Sequence, residues 1–153
     1  MLKGAILGLA LTLSGPAKAS EWWLLSTDGT SPKVIAFFGD RESLRDSHEG
    51  KRVWVTALFQ DRDMTFKRMT NLYVVDCANS RYRTAASNFE KRNGEMFTPE
   101  LSPNWTEVPP DSTAEIITDF ACNNKVASGA TGPITVSPEE AASALFHLFS
   151  LEK

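Results

Sequence analysis

The sequence predicts an α+β domain, because segments with strand character come first and two helix starts follow them. Residues 51–60 are typical of a strand, since apolar side chains recur on both of the faces that alternate along it. Ser112 and Ser137 each begin a predicted helix and are followed by an acidic residue in the first turn. We therefore expect a sheet of about five to six strands, one packed helix and an additional C-terminal helix.

The strands are predicted from short apolar runs that end at turn-forming residues. Asn93-Gly94 marks a hairpin, because both positions tolerate a positive φ. Residues 61–67 are charged, so we interpret them as a loop. Residues 41–45 are polar apart from Leu44, which could attach this segment to the core. Because neither face of residues 51–60 is fully polar, part of each side of the sheet should be covered. The predicted strands are residues 22–26, 34–38, 51–60, 72–77 and 81–89, with shorter extended pieces at 95–98 and 105–108.

The first predicted helix begins with a capping box. The Ser112 side chain should accept a hydrogen bond from a free backbone amide, while Glu115 reaches back to the capping residue. Ile116, Ile117 and Phe120 then lie on one face, and Cys122 lies at the end of the helix.

The C-terminal part of the chain divides into a linker and a helix. Residues 124–136 are rich in small and polar residues, which is typical of a linker. Residues 137–153 predict an amphipathic helix with an apolar stripe. We expect this helix to dock on its own domain, and the alternative is that it docks on a partner. The stripe consists of Ala141, Leu145, Leu148 and Phe149.

Residues 1–19 are typical of a cleavable signal peptide. Lys3 precedes a short apolar run, and Ala17-Lys18-Ala19 follows helix-breaking residues as a small-x-small cleavage site. The run is too short to span a bilayer, and Ser20 rather than a cysteine follows the site, so no lipid anchor is expected there. The sequence therefore predicts a periplasmic or secreted protein whose main domain covers residues 20–123.

The charge balance excludes several classes of partner. The formal charge is −3, and it becomes about −5 when Lys3 and Lys18 leave with the signal peptide. Proteins that bind nucleic acids or anionic membranes carry a basic excess instead. We therefore expect neither nucleic acid nor a membrane anchor, and a protein partner fits better.

Cys77 and Cys122 are the two cysteines of the chain. In an oxidising compartment such a pair most simply forms one disulfide, which would attach the first helix to a strand of the sheet. The alternative is a pair of free thiols, one of them nucleophilic. A thiol enzyme needs a nearby histidine, and His48 and His147 are the two in the chain.

Motifs for catalysis and metal binding are missing from the sequence, so we predict no catalytic residues, no metal site and no cofactor. Arg81 and Arg83 share one face of a strand. Together with Arg41, Arg45 or Arg52 they would form a basic patch for an anionic ligand. The alternative is that these arginines are solvated or paired with acids. The four tryptophans are either a recognition surface or covering residues of the sheet.

Several short motifs occur in a fixed order and together resemble the surface-adhesin protein E family of proteobacterial exported proteins, over about residues 21–123. The resemblance implies an antiparallel sheet with a packed helix, a disulfide matching Cys77–Cys122 and no enzymatic activity. The motifs are Trp22-Trp23, Phe37-Phe38-Gly39-Asp40 with Ser43-Leu44, Val53-Trp54-Val55, Asp76-Cys77 with Arg81-Tyr82-Arg83, Asn93-Gly94, and Trp105-x-x-Val108-Pro109-Pro110-x-Ser112 before Ala121-Cys122.

These observations predict an exported, non-enzymatic protein that binds a macromolecular partner in the periplasm or after secretion. One alternative follows from the resemblance: the namesake of the family is an outer-membrane lipoprotein adhesin that binds host matrix proteins. The other is a small hydrolase that uses His48 with Asp46 or Glu49, or a thiol enzyme that uses Cys77.

Overall fold

The computed structural model describes residues 19–126 and 131–151, so the predicted signal peptide, apart from Ala19, lies outside the described residues. The described chain forms one sheet and two α-helices. The strands are β1 (Trp22–Asp28), β2 (Ile35–Ser47), β3 (Gly50–Phe59), β4 (Phe66–Asp76), β5 (Arg81–Lys91), β6 (Met96–Phe97) and β7 (Thr106–Glu107), and the helices are α1 (Thr113–Asn123) and α2 (Pro138–Leu151).

The sheet is an antiparallel meander in which β1 to β5 lie side by side in chain order. The two short strands β6 and β7 both pair with β5, at opposite ends of it. The predicted α+β architecture, with an antiparallel sheet and a C-terminal helix, is confirmed. The two-residue strands β6 and β7 bring the sheet to seven strands.

Each face of the sheet carries one helix, so the prediction that both sides are partly covered is confirmed. We name the two sides the α1 face and the α2 face. The alternation along β3 explains the arrangement, because Val53 and Val55 lie on the α1 face and Leu58 lies on the α2 face. On the α1 face the buried core consists of Leu25, Val53, Val55, Val75, Ile117, Phe120 and Ala121.

Phe120 is the anchor of α1 and is 0% exposed. It packs where β2 has Gly39: a Cβ atom at that glycine would lie 2.7 Å from the Phe120 ring and 2.9 Å from Leu25 Cδ1. The missing side chain therefore makes the room that the ring occupies, and the helix approaches the sheet closely.

The predicted start of α1 is confirmed in part. Ser112 is the N-cap, and its Oγ accepts a hydrogen bond from the Glu115 amide at 3.2 Å. The Glu115 carboxylate accepts from the amide of Asp111, 2.8 Å away, rather than from that of the cap residue. Asp111 has a φ of 55°, and this left-handed backbone accompanies the shift of the hydrogen bond by one residue.

A disulfide joins Cys77, just after β4, to Cys122 in the last turn of α1, with the two Cα atoms 5.8 Å apart. The predicted attachment of the helix to the sheet is confirmed. Since both cysteines are bonded, the free-thiol alternative is wrong.

The C-terminal helix docks on its own domain, as expected. Ala142 is 2% exposed and packs against Ala36, Phe38 and Leu58 on the α2 face. Leu148, which we expected in the docked stripe, faces solvent and is 58% exposed.

Charged groups tether the start of α2 to the sheet. Glu90 accepts hydrogen bonds from Lys67 at 2.7 Å and from Arg68 at 2.6 Å, and Arg68 also contacts Glu139 of α2. The Lys67 and Arg68 cations hold the pKa of Glu90 below its usual range.

Strand β2 continues through residues 41–45, the polar segment that we did not include among the predicted strands. The pairing of β2 with β3 shifts register between Asp40 and Arg45, which is a bulge. Inside it, the Ser43 side chain donates to the Asp40 carbonyl at 2.6 Å and accepts from the Trp54 amide at 2.9 Å. A side chain thus supplies hydrogen bonds that the interrupted ladder lacks. The predicted loop 61–67 also ends early, because β4 begins at Phe66.

Both outer edges of the sheet carry additional chain. Along β1, the amide of Leu24 donates to the Thr131 carbonyl and the amide of Ile134 donates to the Trp22 carbonyl, each at 2.9 Å. These contacts place residues 131–134, part of the segment that we interpret as a linker, against the sheet. Neither helix in the described part of the chain is long and apolar enough to cross a membrane.

Candidate binding surface

Trp105 brings Arg81 and Arg83 together. The guanidinium carbon of Arg81 lies 4.9 Å from the Trp105 ring centroid, and that of Arg83 lies 5.5 Å from it. Both distances are within the range of cation–π attraction. Trp105 occupies this position because β7, which follows it directly, pairs with the start of β5. The ring therefore holds two cations on one surface.

Two carboxylates orient these arginines. Asp76 accepts a hydrogen bond from Arg81 Nε at 2.8 Å, and Glu49 accepts one from Arg83 Nη2 at 2.5 Å. The Arg83 side chain is only 18% exposed, whereas that of Arg81 is 41% exposed. The two guanidinium groups are thus fixed by an acid and an aromatic ring each, and Arg81 stays accessible to a ligand.

The register of the sheet adds Arg45 and Arg52 to the same face. Arg45 lies directly opposite Arg52, Arg52 lies opposite Val74, and Val74 lies opposite Arg83. The four strands β2 to β5 thus carry one transverse row of three arginines on the α2 face, at the end of the sheet away from the core under α2. We name Arg45, Arg52, Arg81, Arg83 and Trp105 the arginine–tryptophan surface.

Val74 shows how closely this surface is packed. It is 1% exposed, although α2 covers Ala36, Phe38 and Leu58 rather than this end of the sheet. Long arginine side chains cover apolar surface with their stems while their charged ends stay in water. We infer that the flanking Arg52 and Arg83 shield Val74 in this way.

Arg41, the fourth arginine of the predicted patch, lies on the α1 face. Its guanidinium lies 4.4 Å from the Trp23 ring centroid, and its Nε donates to the Asn124 side chain at 2.8 Å. The structure therefore brings Arg45, Arg81 and Arg83 together and places Arg41 apart from them, where it joins β1, β2 and the end of α1.

The residues of the hydrolase alternative lie at the turn between β2 and β3. His48 and Glu49 line an open cavity of about 450 Å³ there, close to Cys77. Both acids beside His48 bind cations, because Asp46 is 2.7 Å from Lys51 and Glu49 is bound to Arg83. The sulfur of Cys77 is bonded to that of Cys122 and offers no thiolate.

A cavity of about 640 Å³ lies between α2 and the connection from β3 to β4. Arg92 partly shapes it by donating to the backbone carbonyls of Met64 and Asp61. Its lining mixes both signs of charge, so the cavity does not favour one sign in a ligand. The charged lining residues are Asp61, Asp63, Glu139, Arg62, Lys67 and Arg92.

A smaller cavity of about 170 Å³ lies beneath α1 and is lined by Tyr73 and Tyr82. The ring centroids of the two tyrosines are 6.0 Å apart. Burial raises the pKa of Tyr73, whose hydroxyl accepts a hydrogen bond from Asn71 at 2.9 Å. Tyr73 therefore remains neutral. The cavity lies within the packing between α1 and the sheet.

The local sequence predicts only part of the arginine–tryptophan surface. The pair Arg45 and Arg52 follows from a two-residue turn, since Ser47 pairs with Gly50 around His48 and Glu49. Strand-like residues follow that turn, but the polar residues before it carry no strand signal, and His-Glu is not a typical hairpin dipeptide. No local pattern predicts the position of Trp105, because that position depends on the pairing of β7 with the distant strand β5.

The Asp76–Arg81 pair predicts a pH effect on stability. Hydrogen bonds from Asn79 and Arg81 hold the pKa of Asp76 below its ordinary value of 3.8. A lowered folded-state pKa means that the unfolded chain binds the proton more tightly, so stability falls as pH drops from 3.8 through the folded-state pKa. In urea unfolding at a series of pH values, Asp76→Asn should therefore lose this part of the acid dependence.

The matched control for this prediction is Asp63→Asn, at an exposed position between β3 and β4. It should follow the wild-type pH profile. If the stability difference between wild type and Asp76→Asn were constant from neutral pH to about pH 2, the proposed role of the pair would be wrong.

Comparison with known proteins identifies the family. The family model described as surface-adhesin protein E matches residues 22–123, from the start of β1 to the end of α1. This match contains the whole sheet, the disulfide and the arginine–tryptophan surface, and it ends before α2. Searches of curated proteins and of solved structures gave no significant match. Because the match spans about two thirds of the sequence, the chain belongs to the surface-adhesin protein E family.

Proposed function

We propose that this chain is an exported, non-enzymatic protein that recognises a macromolecular partner in the periplasm or after secretion. The observation that carries the proposal is the arginine–tryptophan surface on the open end of the α2 face. Tryptophan and arginine are the residues most enriched among those that dominate binding energy at protein interfaces. An open sheet surface of this kind suits a large partner better than a small enclosed ligand.

Two observations support export. Residues 1–19 have the pattern of a cleavable signal peptide, with Ala-Lys-Ala directly before Ser20. In addition, Cys77 and Cys122 form a disulfide, and structural disulfides persist in oxidising compartments outside the cytoplasm. Membership of a surface-adhesin family agrees with an exported or surface location.

The side chains around His48 support a non-enzymatic role. A general base must be within hydrogen-bond reach of a reacting group, and a neighbouring acid usually orients it. Here the neighbouring acids Asp46 and Glu49 pair with Lys51 and Arg83 instead. These pairs stabilise the turn and the adjacent strands rather than the imidazole of His48.

Partner capture tests the proposal. Immobilised mature protein should retain a specific protein from an envelope or host-matrix extract, identified by mass spectrometry. Trp105→Ala should lose most of that retention, since the ring positions two arginines. Met96→Ala, which shortens an exposed apolar residue on β6, is the matched control and should retain the partner. If wild-type protein retained no more than its unfolded form, the proposal would be wrong.

The family description favours a second candidate, a surface adhesin that binds host matrix proteins. Protease treatment of whole cells separates the two candidates. A periplasmic protein should stay intact on whole cells and be degraded only after the outer membrane is opened. Degradation on whole cells would favour the adhesin, provided that a periplasmic marker protein stays intact in the same sample.

A further inference from the structure

We propose that the arginine–tryptophan surface binds an acidic segment of its protein partner, in an extended conformation with carboxylates at alternate residues. The inference rests on the proposed function and specifies the chemistry of the partner. Three features of the surface carry it: an uncompensated pair of arginines, two arginines whose guanidinium groups are already oriented, and the spacing between neighbouring cations.

The uncompensated pair is Arg45 and Arg52. They lie directly opposite each other on β2 and β3, and both are exposed. Like charges in this position destabilise a sheet, because the side chains of opposite residues lie about 5 Å apart. In the described part of the chain, no carboxylate forms a salt bridge with either arginine. An anionic ligand would remove the repulsion and thus gain affinity from it.

Arg81 and Arg83 are oriented before any ligand arrives. Asp76 and Glu49 each hold one guanidinium by a single hydrogen bond, and Trp105 holds both by its ring. A guanidinium has five N–H donors, so donors remain for a second carboxylate. Prior orientation reduces the entropy that the side chains lose on binding.

The spacing favours an extended peptide. Arg81 and Arg83 are two residues apart on one strand, which places them about 7 Å apart along it. Alternate carboxylates of an extended peptide have the same spacing, because every strand rises by the same amount per residue. Such a peptide can therefore run along β5 and place successive carboxylates at successive arginines.

Two carboxylates within the surface argue against a denser polyanion. A nucleic acid carries a charge every few ångströms and binds by replacing many counterions. Asp76 and Glu49 lie within this surface, and the whole chain has a formal charge of −3, so a densely charged polymer would be repelled. Carboxylates separated by neutral residues bring fewer negative charges close to these two acids than a polymer with a charge on every unit.

Fluorescence anisotropy with a labelled peptide of alternating glutamate and serine tests the proposal. Wild-type protein should bind this peptide, and the affinity should fall as salt is added. The decisive variant is Arg52→Glu, which replaces the repulsion with Arg45 by attraction. We expect its affinity to fall by about tenfold or more, because steering and contact are both lost. Its melting temperature should stay close to the wild-type value, since the attraction between opposite charges across the strands offsets the shorter stem over Val74.

The matched control is Arg62→Glu, the same charge change at an exposed position between β3 and β4. It should keep the affinity to within about twofold, because distant exposed charges are screened by salt. Equal losses in the two variants would show a general charge effect and overturn the proposal. Absence of wild-type binding, or tighter binding of heparin or duplex DNA than of the peptide, would also overturn it.

The outcome is separable from that of the proposed function. If the capture experiment yields a specific partner whose retention is the same with Arg52→Glu, the acidic-segment proposal is wrong and the binding function stands. If capture yields no partner, the binding function itself is wrong.

Discussion

Replacement of both Cys77 and Cys122 by serine is expected to lower the free energy of unfolding by about 4 kcal/mol. The disulfide joins residues separated by 45 positions, and closing a loop of that length in the unfolded chain removes entropy of this size. Domains of this class are stable by only about 5–15 kcal/mol, so the loss is a large part of the total. Equilibrium urea unfolding, followed by tryptophan fluorescence, measures it.

Wild-type protein in a reducing buffer is the natural control, because it loses the same bond without a change of side chains. It should unfold at the same urea concentration as the double-serine variant. A double-serine variant within about 1 kcal/mol of oxidised wild type would contradict the prediction. In that case the attachment of α1 would depend on its packing alone.

Phe120→Ala is expected to cost about 3–5 kcal/mol, the range found when a fully buried aromatic side chain is removed. The Phe120 ring is 0% exposed and fills the space above Gly39 in β2. A cavity would remain there, because the disulfide holds α1 at its C-terminal end and prevents the helix from moving inward. Urea unfolding of the oxidised protein measures the loss.

The matched control is Phe97→Ala, the same substitution at a residue that is 46% exposed. Phe97 contacts the rings of Phe66 and Phe89 at the end of the sheet, and we expect a cost of about 1 kcal/mol. If both variants lost the same stability, the core under α1 would not depend on this ring. The prediction for Phe120 would then be wrong.

The sequence predicts those parts of the fold that depend on neighbouring residues. The start of α1 is one of them, because a cap and its partner amide lie within one turn of Ser112. The alternation of side chains along β3 is another. Apolar residues on both faces of this strand imply that both faces of the sheet are partly covered. The capping role of Glu115 is predicted only in part, because its carboxylate accepts from the amide of Asp111 rather than from that of Ser112. The left-handed backbone at Asp111 that accompanies this shift has no sequence signal as strong as a glycine.

Other parts depend on contacts between distant residues. Strand β2 runs on through Arg41–Arg45 because the Ser43 hydroxyl replaces ladder hydrogen bonds inside a bulge, which polarity alone cannot reveal. The candidate surface also depends on contacts between distant residues. Arg81 and Arg83 are visible as strand neighbours, but their contact with Trp105 requires the pairing of β5 with β7. Arg41 is separated from them because it lies on the α1 face of the sheet, where the end of α1 supplies Asn124.

The covered edges of the sheet have a consequence for self-association. Residues 131–134 lie along β1, while β6 and β7 lie along β5 and are joined by a segment that contains Pro99 and Pro103. An open sheet edge is a template for another chain, and prolines and covering segments are common protections against aggregation. At these covered positions a partner therefore meets side chains rather than free backbone groups. Which partner binds depends on the side chains that the sheet displays. The choice of partner can therefore change by substitution without any change of fold.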